Sequence, residues 1–468
     1  MAKSFSEEVV AFIRRDSGDV MTSKVRTLTL RALLDTVGVT LAGGLDPGVR
    51  SLGKSLDEVS ADRAGVTSPW SGRRHAPNDA ALLFGMASHM LDYDDVSMLS
   101  ICHPSAPVDS ALIAAILGGV TQRAISGSQL IAAHAIGTEV MIRLGQVMGG
   151  RHYALGFHAT GTLGVIGSAA ALARLLELDA VVTGHALSIA ASMASGLRKN
   201  FGSMVKPLHV GLGASNGLRA VRMAMAGVEG DLEAFETGGY LRAFTGGETD
   251  RISAPEFVLG QPFVIEEPGF ECKRYPCCYM LHKMIEGTLR ISRAAGISLK
   301  DLEIAEVRMA RGATQPLIHP YPKSGLNGKF SGPYAVAAAL ADGNVGLTSF
   351  TDEAVARSPI QARLGDIHLI EEGDPMPPGT DLGRMPVTVI LRLKDGRELS
   401  DTVTASPGSP EDPMTTGQLR EKWSDCLAYA SGRRDDARAA AWFEEGMELA
   451  AVSTVAPWFE KVFGAVRD

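Results

Sequence analysis

Val25-Arg-Thr-Leu28-Thr-Leu30-Arg-Ala-Leu33-Leu34-Asp-Thr-Val37 decides how this chain folds. Its apolar residues recur mostly three and four apart, the spacing of a helix that buries one face. Working outward, residues 78–91, 106–120, 128–148, 159–177, 179–196 and 213–226 carry the same period, so nearly everything from about 24 to 230 is expected to be helical. Many positions in these segments are Ala, Gly or Ser, which lets helices approach closely. No heptad persists, so the expected assembly is a compact bundle and not a long coiled coil.

The pattern changes after about residue 265. Leu302-Glu-Ile-Ala-Glu-Val-Arg-Met309 alternates like a half-buried strand. Val387-Thr-Val-Ile-Leu-Arg-Leu393 and Glu398-Leu-Ser-Asp-Thr-Val-Thr404 flank Asp395-Gly396, the signature of a hairpin. Residues 330–341 and 352–362 look helical, and 373–379 form a breaker-rich loop. A tail from 411 to 468 returns to helix. The expectation is a mainly α protein. A large all-helical domain is built from both chain ends (1–266 and 406–468), and a smaller α+β domain spans 267–405.

Composition narrows the functional classes. A chain of 468 residues exceeds what one core usually supports. With a net charge of −8 and no basic run, nucleic acid is not an expected partner. Five cysteines without framework spacing point to a reducing compartment. Residues 1–8 lack the apolar run of a signal peptide, and the apolar stretches near 108–119 and 159–175 are too broken for a membrane span. A cytoplasmic protein with no membrane partner is expected.

Short polar clusters beside Gly or Pro carry the chemistry. Asp92-Tyr93-Asp94-Asp95 ends a helix; it lacks the second acidic motif and the basic cluster of a diphosphate–magnesium site, and helix termination or orientation of a histidine remain as readings. His103 precedes Pro104 and Ser105, with Ser105 expected to cap the next helix and the helix end to keep the imidazole neutral. His158 stands in Gly156-Phe-His-Ala-Thr-Gly161 before another apolar helix. Lys206 and Lys273 sit among Pro, aromatic and apolar residues, where an ammonium is costly without an anion. Two such lysines with two such histidines predict a small anionic carboxylate substrate. Cys278 is a candidate thiol, although buried inert cysteine is the commoner fate. His319, Tyr321 and Ser331 are candidate donors from the smaller domain. No metal-ligand spacing occurs, so no metal is expected.

Together Leu91-Asp-Tyr-Asp-Asp-Val96, His103-Pro-Ser-Ala-Pro-Val108, Gly156-Phe-His-Ala-Thr-Gly161, Lys206-Pro-Leu-His-Val-Gly211, Lys273-Arg-Tyr-Pro-Cys-Cys278 and Lys329-Phe-Ser331 resemble the MmgE/PrpD family over about residues 5–460. That family includes 2-methylcitrate dehydratase, cis-aconitate decarboxylase and iminodisuccinate epimerase. The resemblance implies an all-helical domain under an α+β lid, a cofactor-free pocket between them, and a homodimer. It places pocket residues on Asp92, His103, His158, Lys206 and Lys273; Tyr93 and Cys278 are further candidate substrate-binding residues. The family's lid tyrosine has two candidate counterparts, His319 and Tyr321. In this reading the lysines meet the charge of an enolate-like dianion, His103 and His158 move the proton, and Asp92 holds a tautomer. The decarboxylase carries a histidine where this chain has Cys278. That departure favours an epimerase of an iminodisuccinate-like aminodicarboxylate over a 2-methylcitrate-type dehydratase, with a decarboxylase or a non-catalytic binding protein further behind.

Overall fold

A computed structural model of the protein describes residues 4–15, 21–236, 238–247, 258–374, 382–464 and 466. It is mainly α, with eighteen α-helices and two small sheets among the described residues. The opening stretch lies in the helix Ser23–Gly43, where the Thr22 hydroxyl accepts from Val25 N at the N-terminus. From Leu33 to Gly43 every residue of this helix is buried. Among the described residues, no single helix is long and apolar enough to cross a membrane.

The helices Pro77–Met90, Ser105–Leu117, Gly127–Ala154, Ala159–Leu175 and Val205–Met225 pack around one another. Small residues permit this: a Cβ on Gly85 would stand 2.6 Å from the Cα of Gly211, so the first and last of these helices touch backbone to backbone. One hydrophobic core joins both ends of the chain, with Phe5, Phe12 and Leu34 meeting Trp423, Phe443 and Phe459. A second core runs from Tyr275 to Leu393 and contains Leu289, Val307, Ala338 and Val389.

In the larger sheet the strands lie in the order Ile367–Glu372, Leu302–Ala310, Val387–Leu393, Glu398–Val403. The first pair is parallel, with Ala305 opposite Ile367; the others are antiparallel, with Val307 opposite Val389 and Leu391 opposite Leu399. The Asp-Gly hairpin forms as expected, with Gly396 at φ +87° and Asp395 Oδ1 accepting from Arg397 N. The helix His282–Ala295 covers this sheet, where Gly287 rests on Val389 and Val403.

Several boundaries differ from the sequence expectation. The helix expected from 213 begins at Val205, because Pro207 falls in its first turn, where a missing N–H costs nothing. Residues 352–362 form two short helices, Asp352–Val355 and Ser358–Gln361, broken ahead of Pro359. The strand Ile367–Glu372 is absent from the sequence expectation; its parallel partner lies some sixty residues away, a pairing that local alternation does not signal. Most of the loop at 373–379 lies outside the described residues.

Candidate active site

The helix Pro77–Met90 ends at Leu91, and Asp92 follows in the left-handed region at φ +51°. Reciprocal backbone hydrogen bonds between Val96 and Glu271 (3.0 and 2.8 Å) then draw this loop against the segment carrying Lys273. Asp92 Oδ1 accepts from Lys206 Nζ and Lys273 Nζ, each at 2.9 Å, and the Asp92 carbonyl accepts from Lys273 Nζ at 3.0 Å. All three side chains are more than nine-tenths buried. Burial pushes the Asp92 carboxyl upward, but the two ammoniums outweigh it and hold the group well below the carboxylate range. Lys273 is held above its ordinary value in return, because Asp92 and Asp94 overcome its burial.

The sequence expectation gives Asp92 the task of holding a histidine tautomer; in the structure Asp94 does this instead. His103 Nδ1 lies 2.7 Å from the Asp95 carbonyl and 3.2 Å from Asp94 Oδ2. Both are acceptors, so Nδ1 carries the hydrogen and Nε2 is left with its lone pair. Asp94 is shared with His89, whose Nδ1 stands 2.9 Å from both of its oxygens. The His89 and His103 rings are 4.3 Å apart, centre to centre. Burial lowers the His103 pKa, opposed by Asp94 and aided by Lys273, so the imidazole is neutral near pH 7. Burial takes His89 down to about 3.

His158 precedes the helix Ala159–Leu175, anchored by His158 N donating to Gly196 O at 3.0 Å. Its Nδ1 meets His209 Nδ1 at 3.1 Å, so one ring donates and the other accepts. Burial, with His89 and Lys206 nearby, keeps His158 well below the ordinary imidazole value. Asp92, His103, His158, Lys206, Lys273 and Cys278 all line one cleft, which encloses about 910 Å³ including its open mouth. Burial pushes the Cys278 thiol up to about 11, so it is a neutral neighbour and not a thiolate.

The other expected contributors sit elsewhere. Tyr93 turns from the cleft: its hydroxyl donates to Arg274 O at 3.2 Å and its ring lies 3.9 Å from Lys422 Nζ. Ser331 is fully buried and caps the helix Gly332–Asp342 by accepting from Tyr334 N. His319 Nε2 lies 3.4 Å from Asn327 Nδ2, and Tyr321 is 63% exposed; neither lines the cleft. Ser105 does not cap its helix. It is the first helical residue, and Asp95 accepts from both its N–H and its hydroxyl.

Two buried lysines fix the loops. Lys329 Nζ donates to Leu91 O and Pro276 O, both at 2.7 Å, and Lys422 Nζ donates to Tyr93 O and Lys273 O, both at 2.8 Å. Each ties the loop of Asp92 to the loop of Lys273. Lys422 also stands 2.6 Å from Asp35 Oδ1. Sequence reading missed Lys422 and the roles of His89 and Asp94, since each acts through partners remote or ambiguous in sequence.

Asp95 makes a pH-dependent contribution. Burial, with the like charges of Asp94 and Asp35, lifts it from 3.8 to about 7 against the hydrogen bonds from Ser105. Between pH 4 and 7 the folded protein keeps a proton that the unfolded chain has released. This contribution is therefore complete below pH 4 and is lost as pH rises through 7, at no more than ~1.4 kcal/mol per pH unit. Urea denaturation at pH 5 and pH 7 should show Asp95→Asn lacking that slope; an unchanged slope contradicts the assignment.

His89, Asp92, Asp94 and His103 present ligand atoms within 4.8 Å of one another, a spacing a cation can use. The ammoniums of Lys206 and Lys273 already sit on Asp92 and would repel a dication there.

The arrangement is that of a buried acid–base site with fixed positive charge. The MmgE/PrpD N-terminal domain matches residues 7–253 and the MmgE/PrpD C-terminal domain matches 275–445, so the chain belongs to the MmgE/PrpD family. Among its relatives, cis-aconitate decarboxylase of Homo sapiens is 24% identical over 433 residues, covering 90% of this chain and 88% of that protein. The Mus musculus protein of the same name is 26% identical, covering 90% and 86%. A cis-aconitate decarboxylase-like protein of Aspergillus oryzae is 25% identical over 410 residues, covering 84% of each.

Proposed function

We propose that this cleft removes a proton next to a carboxylate of a small polycarboxylate, without a cofactor, and that the reaction is epimerisation of an iminodisuccinate-like aminodicarboxylate. The observation that carries the reading is His103, its Nδ1 hydrogen engaged by Asp94 and Asp95, beside two lysines joined on Asp92. A substrate carboxylate placed against Lys206 and Lys273 meets charge that does not have to reorganise. His103 Nε2 takes the adjacent proton, and Asp94 stabilises the resulting imidazolium. The lysines take up the negative charge that appears on the carboxylate. For an epimerase a second group must return a proton to the other face; His158 fills this role as its imidazolium, which its lowered pKa makes a strong acid.

The cis-aconitate decarboxylases among the relatives favour a second reading, a lyase: dehydration would expel the hydroxyl group, as water once protonated, from the same carbanion, whereas decarboxylation would form a carbanion as carbon dioxide leaves and then protonate it. Cys278 weighs against decarboxylation, because a thiol near pKa 11 does not replace an imidazole as an acid–base group. A homodimer in a cytoplasmic setting belongs to the same proposal, and light scattering reads the first directly. Proton and carbon NMR of incubations with iminodisuccinate, 2-methylcitrate and cis-aconitate tests the chemistry. Stereochemical scrambling of an aminodicarboxylate, with no new alkene and no carbon dioxide, is expected; itaconate or 2-methylaconitate as the product overturns the epimerase assignment.

A further inference from the structure

To act as an acid His158 must carry an extra proton, and its surroundings oppose this. It is 2% exposed, and the charges of His89, Lys206, His209 and His103 add to burial in holding its pKa down. Phe201 packs edge-on against its ring, 5.0 Å between centres. Its Nδ1 hydrogen-bonds to His209 Nδ1 at 3.1 Å. His158 lines the cleft and His209 does not. Burial lowers His209 as well, but not to the same extent, and 6% of its surface stays exposed. His209 is therefore the easier of the two rings to protonate.

Two glycines hold this contact in place. Gly196, at φ +137°, accepts at its carbonyl from His158 N at 3.0 Å. A Cβ there would stand 3.4 Å from His209 Cγ and 3.5 Å from His158 Cβ, so the bare backbone rests on both imidazoles. A Cβ on Gly161 would stand 3.1 Å from His209 Cβ and 2.5 Å from Ser195 O, which closes the other side. The two rings lie 5.3 Å apart, centre to centre, with their planes tilted by 56°. His209 itself is carried near the start of the helix Val205–Met225, three residues after Lys206.

We infer that His209 supplies the proton that His158 delivers to the substrate, so that two imidazoles in series connect solvent to the second face of the carbanion. The inference rests on the acid–base reading of the cleft proposed above. With His209 in its Nδ1–H tautomer, His158 accepts at Nδ1 and holds its own hydrogen on Nε2. Solvent protonates His209 at Nε2. The Nδ1 hydrogen of His209 then passes to His158 Nδ1, which makes His158 the imidazolium, and the Nε2 hydrogen of His158 passes to the carbanion carbon. One proton enters from water, one C–H bond forms, and both rings end neutral with the Nδ1 hydrogen on His158. In the opposite sense of the reaction the same transfers run backwards.

Reaction of iminodisuccinate in deuterium oxide with the unaltered enzyme and with His209→Gln tests this, inversion and deuterium entry being followed separately. Glutamine keeps a polar group against His158 but cannot carry the proton. In the variant, kcat for inversion is expected to fall about tenfold or more with KM little changed, while deuterium entry without inversion, the work of His103, persists. Added imidazole should restore inversion in proportion to its concentration, which the mere loss of a packing contact would not produce. Nitrogen-15 NMR of the unaltered protein is a second measurement that needs no variant to fold: coupling between the two Nδ1 nuclei through a shared hydrogen is expected. Absence of that coupling, unchanged inversion in His209→Gln, equal slowing of inversion and deuterium entry, or no response to imidazole overturns the inference and leaves the acid–base reading standing. If the unaltered enzyme neither labels nor inverts the compound, the acid–base reading falls and this inference falls with it.

Discussion

Replacing His103 with alanine is expected to lower kcat/KM by about 10²–10⁴-fold, the usual worth of a positioned general base. The fold should hold, because the ring contributes one edge of the cleft while the backbone N–H still donates to Thr160 Oγ1 at 3.1 Å. Burial and Lys273 lower the His103 pKa, so the acid limb of kcat/KM in the unaltered enzyme should fall below the ordinary imidazole value. Activity then persists at pH values where a solvent-exposed histidine would already be protonated. A steady-state assay of each protein across pH 5–8 reads both effects. Near-normal kcat/KM in His103→Ala would remove this residue from the chemistry.

Asp92→Asn is expected to cost about 3–5 kcal/mol of stability, the penalty for stranding buried charge. Asparagine keeps the shape and tolerates the left-handed backbone at φ +51°, so the loss reports charge and not strain. Without the carboxylate, Lys206 and Lys273 face each other about a neutral amide, each less than a tenth exposed. Adding Lys273→Met to Asp92→Asn should recover part of that loss, because it removes one of the stranded ammoniums. Urea denaturation of both variants beside the unaltered protein measures this. A loss below about 1 kcal/mol for Asp92→Asn would mean that the ammoniums are solvated and the cluster is not a closed electrostatic unit.

Much of the site was legible because its residues advertise themselves. A lysine beside proline and aromatics, or a histidine before proline, is unusual enough to mark, and His103, His158, Lys206, Lys273 and Asp92 do line one cleft. Helical period marked the bundle for the same reason: Val25 to Val37 carry the repeat of a buried face. Pairing was not legible. Three aspartates within four residues offered no means of telling which faces a lysine and which an imidazole. That choice depends on the left-handed turn at Asp92, which directs its carboxylate to Lys206 and leaves Asp94 for His89 and His103. Lys422 was invisible for a different reason: it lies on an ordinary amphipathic helix, Thr416–Ser431, and its partners are carbonyls at Tyr93 and Lys273. Ser331 misled because a hydroxyl after Lys329-Phe has the same appearance as a donor or as a helix cap, and here it is the cap.

The central claim is that His103 exchanges a proton with the carbon next to a substrate carboxylate held by Lys206 and Lys273. Incubation of the unaltered enzyme and of His103→Ala with iminodisuccinate and 2-methylcitrate in deuterium oxide, followed by mass spectrometry of recovered substrate, measures that transfer. The account predicts deuterium at the carbon next to a carboxylate with the unaltered enzyme, and none above background with His103→Ala. Equal labelling by both proteins, or no labelling of either compound by the unaltered enzyme, would contradict it.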